Sequence, residues 1–267
     1  MKISKYVSKP MDDNGQIAWS ESEHTVWHKL VTRQLSCIKG KACQEYFDGL
    51  DMLSLPTDNA PQVSDINRVL MQSTGWQLEA VPALIDFDKF FALLADRKFP
   101  VATFLRTEDD FDYLQEPDFF HEVFGHCAML THPAFASFTH HYGKLGLNAS
   151  KAERVYLARL YWFTVEFGLI ENASGRSIYG GGILSSPAET EYAFASSEPV
   201  RKRLDVLDVM RTPYRIDILQ PLYYCLESLD ELYELEKMDL IACVRRAMAL
   251  GLHAPLYPEK YPQKIAQ

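Results

Sequence analysis

The sequence has no apolar run near the roughly 18 residues that a membrane-spanning helix needs. Its first stretch, Met1 to Asp13, is polar and holds no apolar core of about 7–15 residues, so no secretory leader is expected there. Positive charge is also scarce: 27 Lys and Arg stand against 36 Asp and Glu, a net charge of −9, which leaves no basic footprint for nucleic acid. Cys37, Cys43, Cys127, Cys225 and Cys243 are odd in number and show no CxxC spacing. They argue against a disulfide framework and fit a reduced, cytoplasmic protein. Repeats and low-complexity segments are missing. Gly180-Gly181-Gly182 lacks the G-x-G-x-x-G spacing and strand-to-helix setting of a dinucleotide loop.

What is present is a chain of 267 residues, 47% apolar, enough for one large core. Ser20-Glu21-Ser22-Glu23 reads as a capping box opening a helix that would bury Val26, Trp27, Leu30 and Val31. Ser150-Lys151-Ala152-Glu153 and Ser228-Leu229-Asp230-Glu231 are two more such boxes. The second starts a helix leading to Glu166; the third opens one helix through Leu232, Leu235, Met238 and Ile241 that stops at Gly251. Further helices are expected over 65–73, 86–96 and from Pro133. Strands are expected at 81–85, 101–105 and 219–225. The fold class is therefore mainly α, a single catalytic domain of packed helices with a few short strands. Residues 1–18 form an N-terminal extension and 252–267, with Pro255, Pro258 and Pro262, an irregular tail.

Chemistry concentrates in Pro117-Asp118-Phe119-Phe120-His121-Glu122-Val123-Phe124-Gly125-His126 and in Glu166, forty residues beyond. Glu166 shares a helical face with Ala158, Trp162 and Phe163 in the most apolar run of the chain. An ionised carboxylate buried there costs several kcal/mol, roughly, unless a cation compensates it, and that cation is either a metal or a remote Arg or Lys. His121 and His126 are spaced i, i+5, unlike the H-E-x-x-H of zinc proteases. On a regular helix their rings stand roughly 140° apart, so they meet one ion only if the helix ends or distorts near Gly125. Two imidazoles and one carboxylate fit the 2-His-1-carboxylate triad of non-haem Fe(II) enzymes, and zinc with His₂Glu is chemically possible too. Taken as core residues, the same groups suit a non-catalytic helical binding protein; with Glu122 as base, they suit a zinc hydrolase. His140 and His141 read as ordinary surface or core residues.

The run from Thr74-Gly75-Trp76 to Pro221-Leu222-Tyr223-Tyr224 resembles the catalytic domain of the pterin-dependent aromatic amino acid hydroxylases, and most of all their bacterial, phenylalanine-directed members. Four islands carry the likeness: Glu116 to His126, Tyr161 to Leu169, Tyr179 to Ser186 with Glu189, and Gln220 to Tyr224. The resemblance implies that His121, His126 and Glu166 hold Fe(II), and that phenylalanine is hydroxylated to tyrosine with dioxygen and tetrahydropterin as two-electron donor. One oxygen atom goes to the ring and the other to the pterin. It places Arg106 on the substrate carboxylate, oriented by Asp118, a use that suits the planar fork of guanidinium. Pro117 and the His121 ring would form the slot for the benzene ring, with Trp162, Gly182 and Ser185 beside it. The Ser185 hydroxyl would bond the outer nitrogen of His121, and Glu189 would back Ser185. Glu122, Phe90, Ile85, Ala158 and Tyr161 would line the pterin pocket. Animal members have a Gly/Ser-rich loop where residues 81–87 stand here. Trp162 takes a place where tryptophan hydroxylases have Phe, and Cys225 one where tyrosine hydroxylases carry Asp, which implies a preference for phenylalanine. No room is left for the regulatory domain or tetramerising helix of the animal enzymes, so a monomer is expected.

Overall fold

The computed structural model describes residues 5–257 apart from 83, 113 and 115. Helix α1 (Glu21–Ile38) begins at the Ser20 capping box, both halves of which are made, and buries Val26, Trp27, Leu30 and Val31. Helices α2 (Gln44–Leu53) and α3 (Val63–Ser73) follow and lead to strand β1 (Gln77–Val81), helix α4 (Phe87–Ala95) and strand β2 (Lys98–Ala102). Strands β1 and β2 pair in parallel and end together at Val81 and Ala102. The expected strands at 81–85 and 101–105 are thus each set too late. Pro82 has no N–H to continue the ladder, and Thr103 turns instead to the N-terminal segment, accepting from the Lys9 N–H at 2.9 Å. That segment is packed rather than a loose extension: Tyr6 stacks on Phe104 with centroids 4.7 Å apart.

A short α5 (Ala128–Leu130) leads into α6 (Pro133–Asn148), with Pro133 in its first turn. Helix α7 (Lys151–Tyr161) starts at the Ser150 capping box. Beyond it come β3 (Leu169–Asn172), β4 (Gly175–Ile178), α8 (Gly181–Leu184), α9 (Pro187–Ala195), β5 (Val200–Arg203), α10 (Val206–Arg211) and β6 (Leu222–Leu226). The four strands form a sheet in the order β4-β3-β6-β5, with β4 antiparallel to β3 and the other pairs parallel. Strand β6 starts at Leu222, later than the expected 219.

The third capping box is corrected. Glu231 accepts from the Ser228 N–H at 3.3 Å, but the helix starts only at Glu231, with no side chain capping it. The single helix expected after it is two, α11 (Glu231–Lys237) and α12 (Leu240–Leu250), because Met238 is extended and Asp239 caps the second through the Ala242 N–H at 2.9 Å. A carboxylate placed to take an orphan N–H competes with continued helix. Gly251, at φ +73°, closes α12 where expected. Residues 252–257 have no regular structure, and 258–267 of the expected tail lie outside the described residues.

One apolar core runs from Ile17 to Ala247, with Trp27, Trp76, Tyr46, Phe119, Phe120 and Phe124 fully buried. Burying each of these rings stabilises the fold by roughly 2–3 kcal/mol. One polar tie aims the core at the histidine segment: the Tyr46 hydroxyl donates to the Phe124 carbonyl at 2.6 Å. The Trp27 indole N–H donates to the Pro56 carbonyl at 2.8 Å and so fixes a ring that packs on Phe119 and Phe120. No described helix is long and apolar enough to cross a membrane.

Candidate metal centre and substrate cavity

His121 and His126 lie in a π-helical turn, His121–Cys127, and Glu166 closes a second one, Trp162–Glu166, at the end of α7. In a π-turn the hydrogen bonds run from i to i+5, so residues five apart stand above one another. The wide turn thus removes the roughly 140° separation of the two rings on an α-helix, and their centroids are 5.0 Å apart. The distortion spans the whole segment instead of sitting at Gly125. Gly125 serves packing, since a Cβ there would stand 2.7 Å from the Gly181 carbonyl oxygen.

The three donor atoms converge within 4.8 Å of one another. His126 Nε2 is 3.3 Å from His121 Nε2 and 3.4 Å from Glu166 Oε1. Burial pushes the His121 imidazolium down to about 4, so the ring is neutral near pH 7. Burial raises the Glu166 carboxyl, but the His126 and His121 rings more than offset this and hold it below the usual carboxylate value. The Ser185 hydroxyl lies 2.8 Å from His121 Nδ1 and gives its one proton to the Gly181 carbonyl, also at 2.8 Å. It must then accept from Nδ1–H, so His121 Nε2 carries a lone pair toward the cluster. Three acceptor-type atoms therefore face one another with at most one N–H, from His126, to share. A divalent cation suits that set.

Gly181, the first residue of α8, lets the chain lie directly on the His126 ring: a Cβ at this position would be 2.3 Å from Cε1 and 2.5 Å from Nδ1. Gly181→Ala is therefore expected to push His126 out of register, costing about 1–3 kcal/mol of stability by overpacking and more than that in metal affinity. Thermal denaturation alongside iron titration checks it; unchanged iron binding would contradict it.

The cluster opens onto a cavity of about 610 Å³. Arg106, Pro117, Trp162, Gly182 and Ser185 line it, as do Glu122, Phe90, Ile85 and Tyr161. Ala158 is not on its wall, because the chain turns from α-helix to π-turn after Tyr161 and presents Tyr161 and Trp162 instead. Asp118 sits beneath the cavity, fully buried, and accepts four N–H groups: the Arg106 backbone N–H at 3.0 Å, Arg106 Nε and Nη2 both at 2.9 Å, and the His121 backbone N–H at 3.0 Å. Burial works to raise its carboxyl, but Arg106 and these N–H groups hold it below the ordinary value. Burial pushes the Glu122 carboxyl well up, helped by the Glu166 and Asp118 charges.

One expectation about neighbours changes. Glu189 does not back Ser185; its Oε1 accepts from the Tyr223 hydroxyl and, at 3.0 Å, from the Gln220 N–H. Cys225 is buried in β6, paired with Leu169 and Arg203, and does not face the cavity. The residues that do face it from that part of the chain are Ile216, Asp217, Ile218, Leu219 and Gln220. Sequence reasoning does not single out Phe99, whose ring is 5.1 Å from that of His126, or Tyr214, which stacks on Trp162. Gln220, at the head of the last island of likeness, is the only pointer to this wall.

Residues 5–248 match the family described as biopterin-dependent aromatic amino acid hydroxylase. A phenylalanine-4-hydroxylase of Vibrio cholerae is 61% identical over 261 residues, covering 98% of this chain and 90% of its own. The apo structure of the cold-active phenylalanine hydroxylase from Colwellia psychrerythraea superposes with a TM-score of 0.92 at 56% identity, over 94% of this chain and 97% of that one. Phenylalanine hydroxylase from Chromobacterium violaceum, solved with bound oxidised Fe(III), gives a TM-score of 0.86 at 39% identity, over 92% of each chain. With this helical fold, donor cluster and cavity, the chain belongs to the biopterin-dependent aromatic amino acid hydroxylases.

Proposed function

We propose that this enzyme is a phenylalanine 4-monooxygenase that converts L-phenylalanine to L-tyrosine with Fe(II), dioxygen and a tetrahydropterin. The observation that carries the reading is the three-donor cluster at the floor of an aromatic-walled cavity with a buried guanidinium at its side. The bound iron and pterin supply the two electrons and the oxygen activation; the protein supplies position and dryness. His121, His126 and Glu166 would hold the metal from one face and leave the cavity side open. Arg106, fixed by Asp118, would take the substrate carboxylate, while Pro117, the His121 ring, Trp162, Gly182 and Ser185 would seat its ring. Glu122, Phe90, Ile85 and Tyr161 would hold the pterin, Glu122 through a hydrogen-bonding edge and the others through apolar contact. No side chain is required as acid or base for attack on the ring.

The whole chain acts as one catalytic unit in this reading, as a monomer. A cytoplasmic setting is supported by the five cysteines, all of which stand as free thiols. Light scattering should give about 30.6 kDa, and a tetramer would contradict the monomer. The test of function is aerobic turnover of metal-free protein with phenylalanine and a tetrahydropterin, with Fe(II) or Zn(II) added, scored by mass spectrometry. Tyrosine should require both Fe(II) and pterin. No product from phenylalanine despite bound iron would overturn the substrate reading.

A further inference from the structure

Trp162 has neither face free. Phe167 stacks on one side with centroids 4.4 Å apart and planes at 29°, and Tyr214 stacks at 4.4 Å and 15°. Its N–H is also committed, donating to Gln220 Oε1 at 3.1 Å. Whatever occupies the cavity therefore meets only a carbon edge of the indole, and the position of that edge is set by what holds the ring. Gln220 is 1% exposed and uses its whole amide: Oε1 takes the indole N–H, and Nε2 donates to the Arg215 carbonyl at 2.8 Å and the Ile218 carbonyl at 2.9 Å. Its backbone N–H goes to Glu189 at 3.0 Å. One residue thus ties the π-turn after α7, the segment that carries the wall at 216–219 and helix α9.

We propose that Gln220 is a positioning residue that sets the aromatic-substrate selectivity of the cavity, by fixing the edge of Trp162 against the 216–219 wall. This rests on the reading that the substrate ring is seated beside Trp162. The ring stack alone permits the indole to slide in its own plane, because stacked rings resist tilting far more than in-plane displacement. The hydrogen bond removes that freedom. Methionine at 220 keeps the length but takes the acceptor from the indole N–H and the donor from the Arg215 and Ile218 carbonyls. Glutamate keeps the acceptor for the indole.

The test is competition between phenylalanine and tryptophan in the iron-loaded enzyme with pterin, comparing Gln220→Met, Gln220→Glu, Trp162→Phe and the double variant Trp162→Phe with Gln220→Met. Gln220→Met is expected to narrow the phenylalanine preference in kcat/KM about 10-fold, the size that a shifted apolar wall commands. The loss should lie in KM for the amino acid, with KM for pterin and iron content unchanged. Gln220→Glu, which keeps the acceptor for the indole but loses the donor to the two carbonyls, should narrow the ratio less than Gln220→Met. In the Trp162→Phe background, Gln220→Met should change selectivity no further, since the tie is already gone. Should Gln220→Met not fold, Gln220→Asn, whose shorter amide cannot span the same groups, is expected to give the same narrowing. An unchanged ratio in Gln220→Met or Gln220→Asn, or an equal effect with and without Trp162, would overturn the proposal. Failure of the unsubstituted enzyme to make tyrosine would instead sink the substrate reading on which it rests.

Discussion

Glu166→Ala should leave a folded protein that neither retains iron nor makes tyrosine. Its carboxylate is one of only three converging donors among the described residues, and the two imidazoles left behind cannot replace its charge. Losing the several kcal/mol that a bound metal contributes at a reacting centre corresponds to a rate loss on the order of 10³-fold or more. Stability should move little, because in the folded chain the cost of burying the carboxylate is offset by the two imidazoles beside it. Metal analysis after desalting, turnover and thermal denaturation separate the outcomes. Parent-level iron and activity in the variant would disprove the assigned ligand set.

Asp118→Asn should be the most destabilising isosteric change near the site. All four groups that Asp118 binds are N–H donors, so an amide at this position turns its own NH₂ toward two of them and leaves the buried Arg106 charge uncompensated. Breaking a buried pair of this kind costs about 3–5 kcal/mol, or a fall in Tm of roughly 6–20 °C for a chain of this size. The phenylalanine KM should rise as well, since Arg106 loses its anchor. The depressed carboxyl has a pH signature. Its contribution is whole above the unfolded value near 4 and is lost as pH falls through the lower folded value, so acid unfolding of the variant should lack this component. A Tm within about 2 °C of the parent would mean that the pair contributes far less than its burial implies.

What the sequence made legible depended on distance along the chain. The Ser20 and Ser150 capping boxes and the Gly251 stop were readable because each is settled within four residues. The strand limits were not, since β2 ends where Thr103 finds Lys9, more than ninety residues earlier. The three donors could be picked out by type, but i, i+5 spacing is awkward on α-helical geometry and natural only in a π-turn, a form that periodicity does not announce. Gln220 was hidden for a similar reason: its partner Trp162 is 58 positions away. Cys225 was legible only as a position matched by likeness; the residues that line the cavity from this part of the chain are 216–220, just ahead of the strand.

The π-turn at His121–Cys127 has a consequence for how this segment can vary. Relative to an α-helix it behaves as one residue too many, held in place by packing rather than by its own hydrogen bonding. Deleting one residue between the two histidines would let the backbone relax to the ordinary helix and leave the rings i, i+4, about 40° apart on one face. Substitutions that let the turn tighten to an α-helix at full length would instead set the rings roughly 140° apart and yield a sturdier protein with no metal centre. The convergence of the two rings at this spacing thus depends on the packing that holds the wide turn, and selection for robustness alone would erase it.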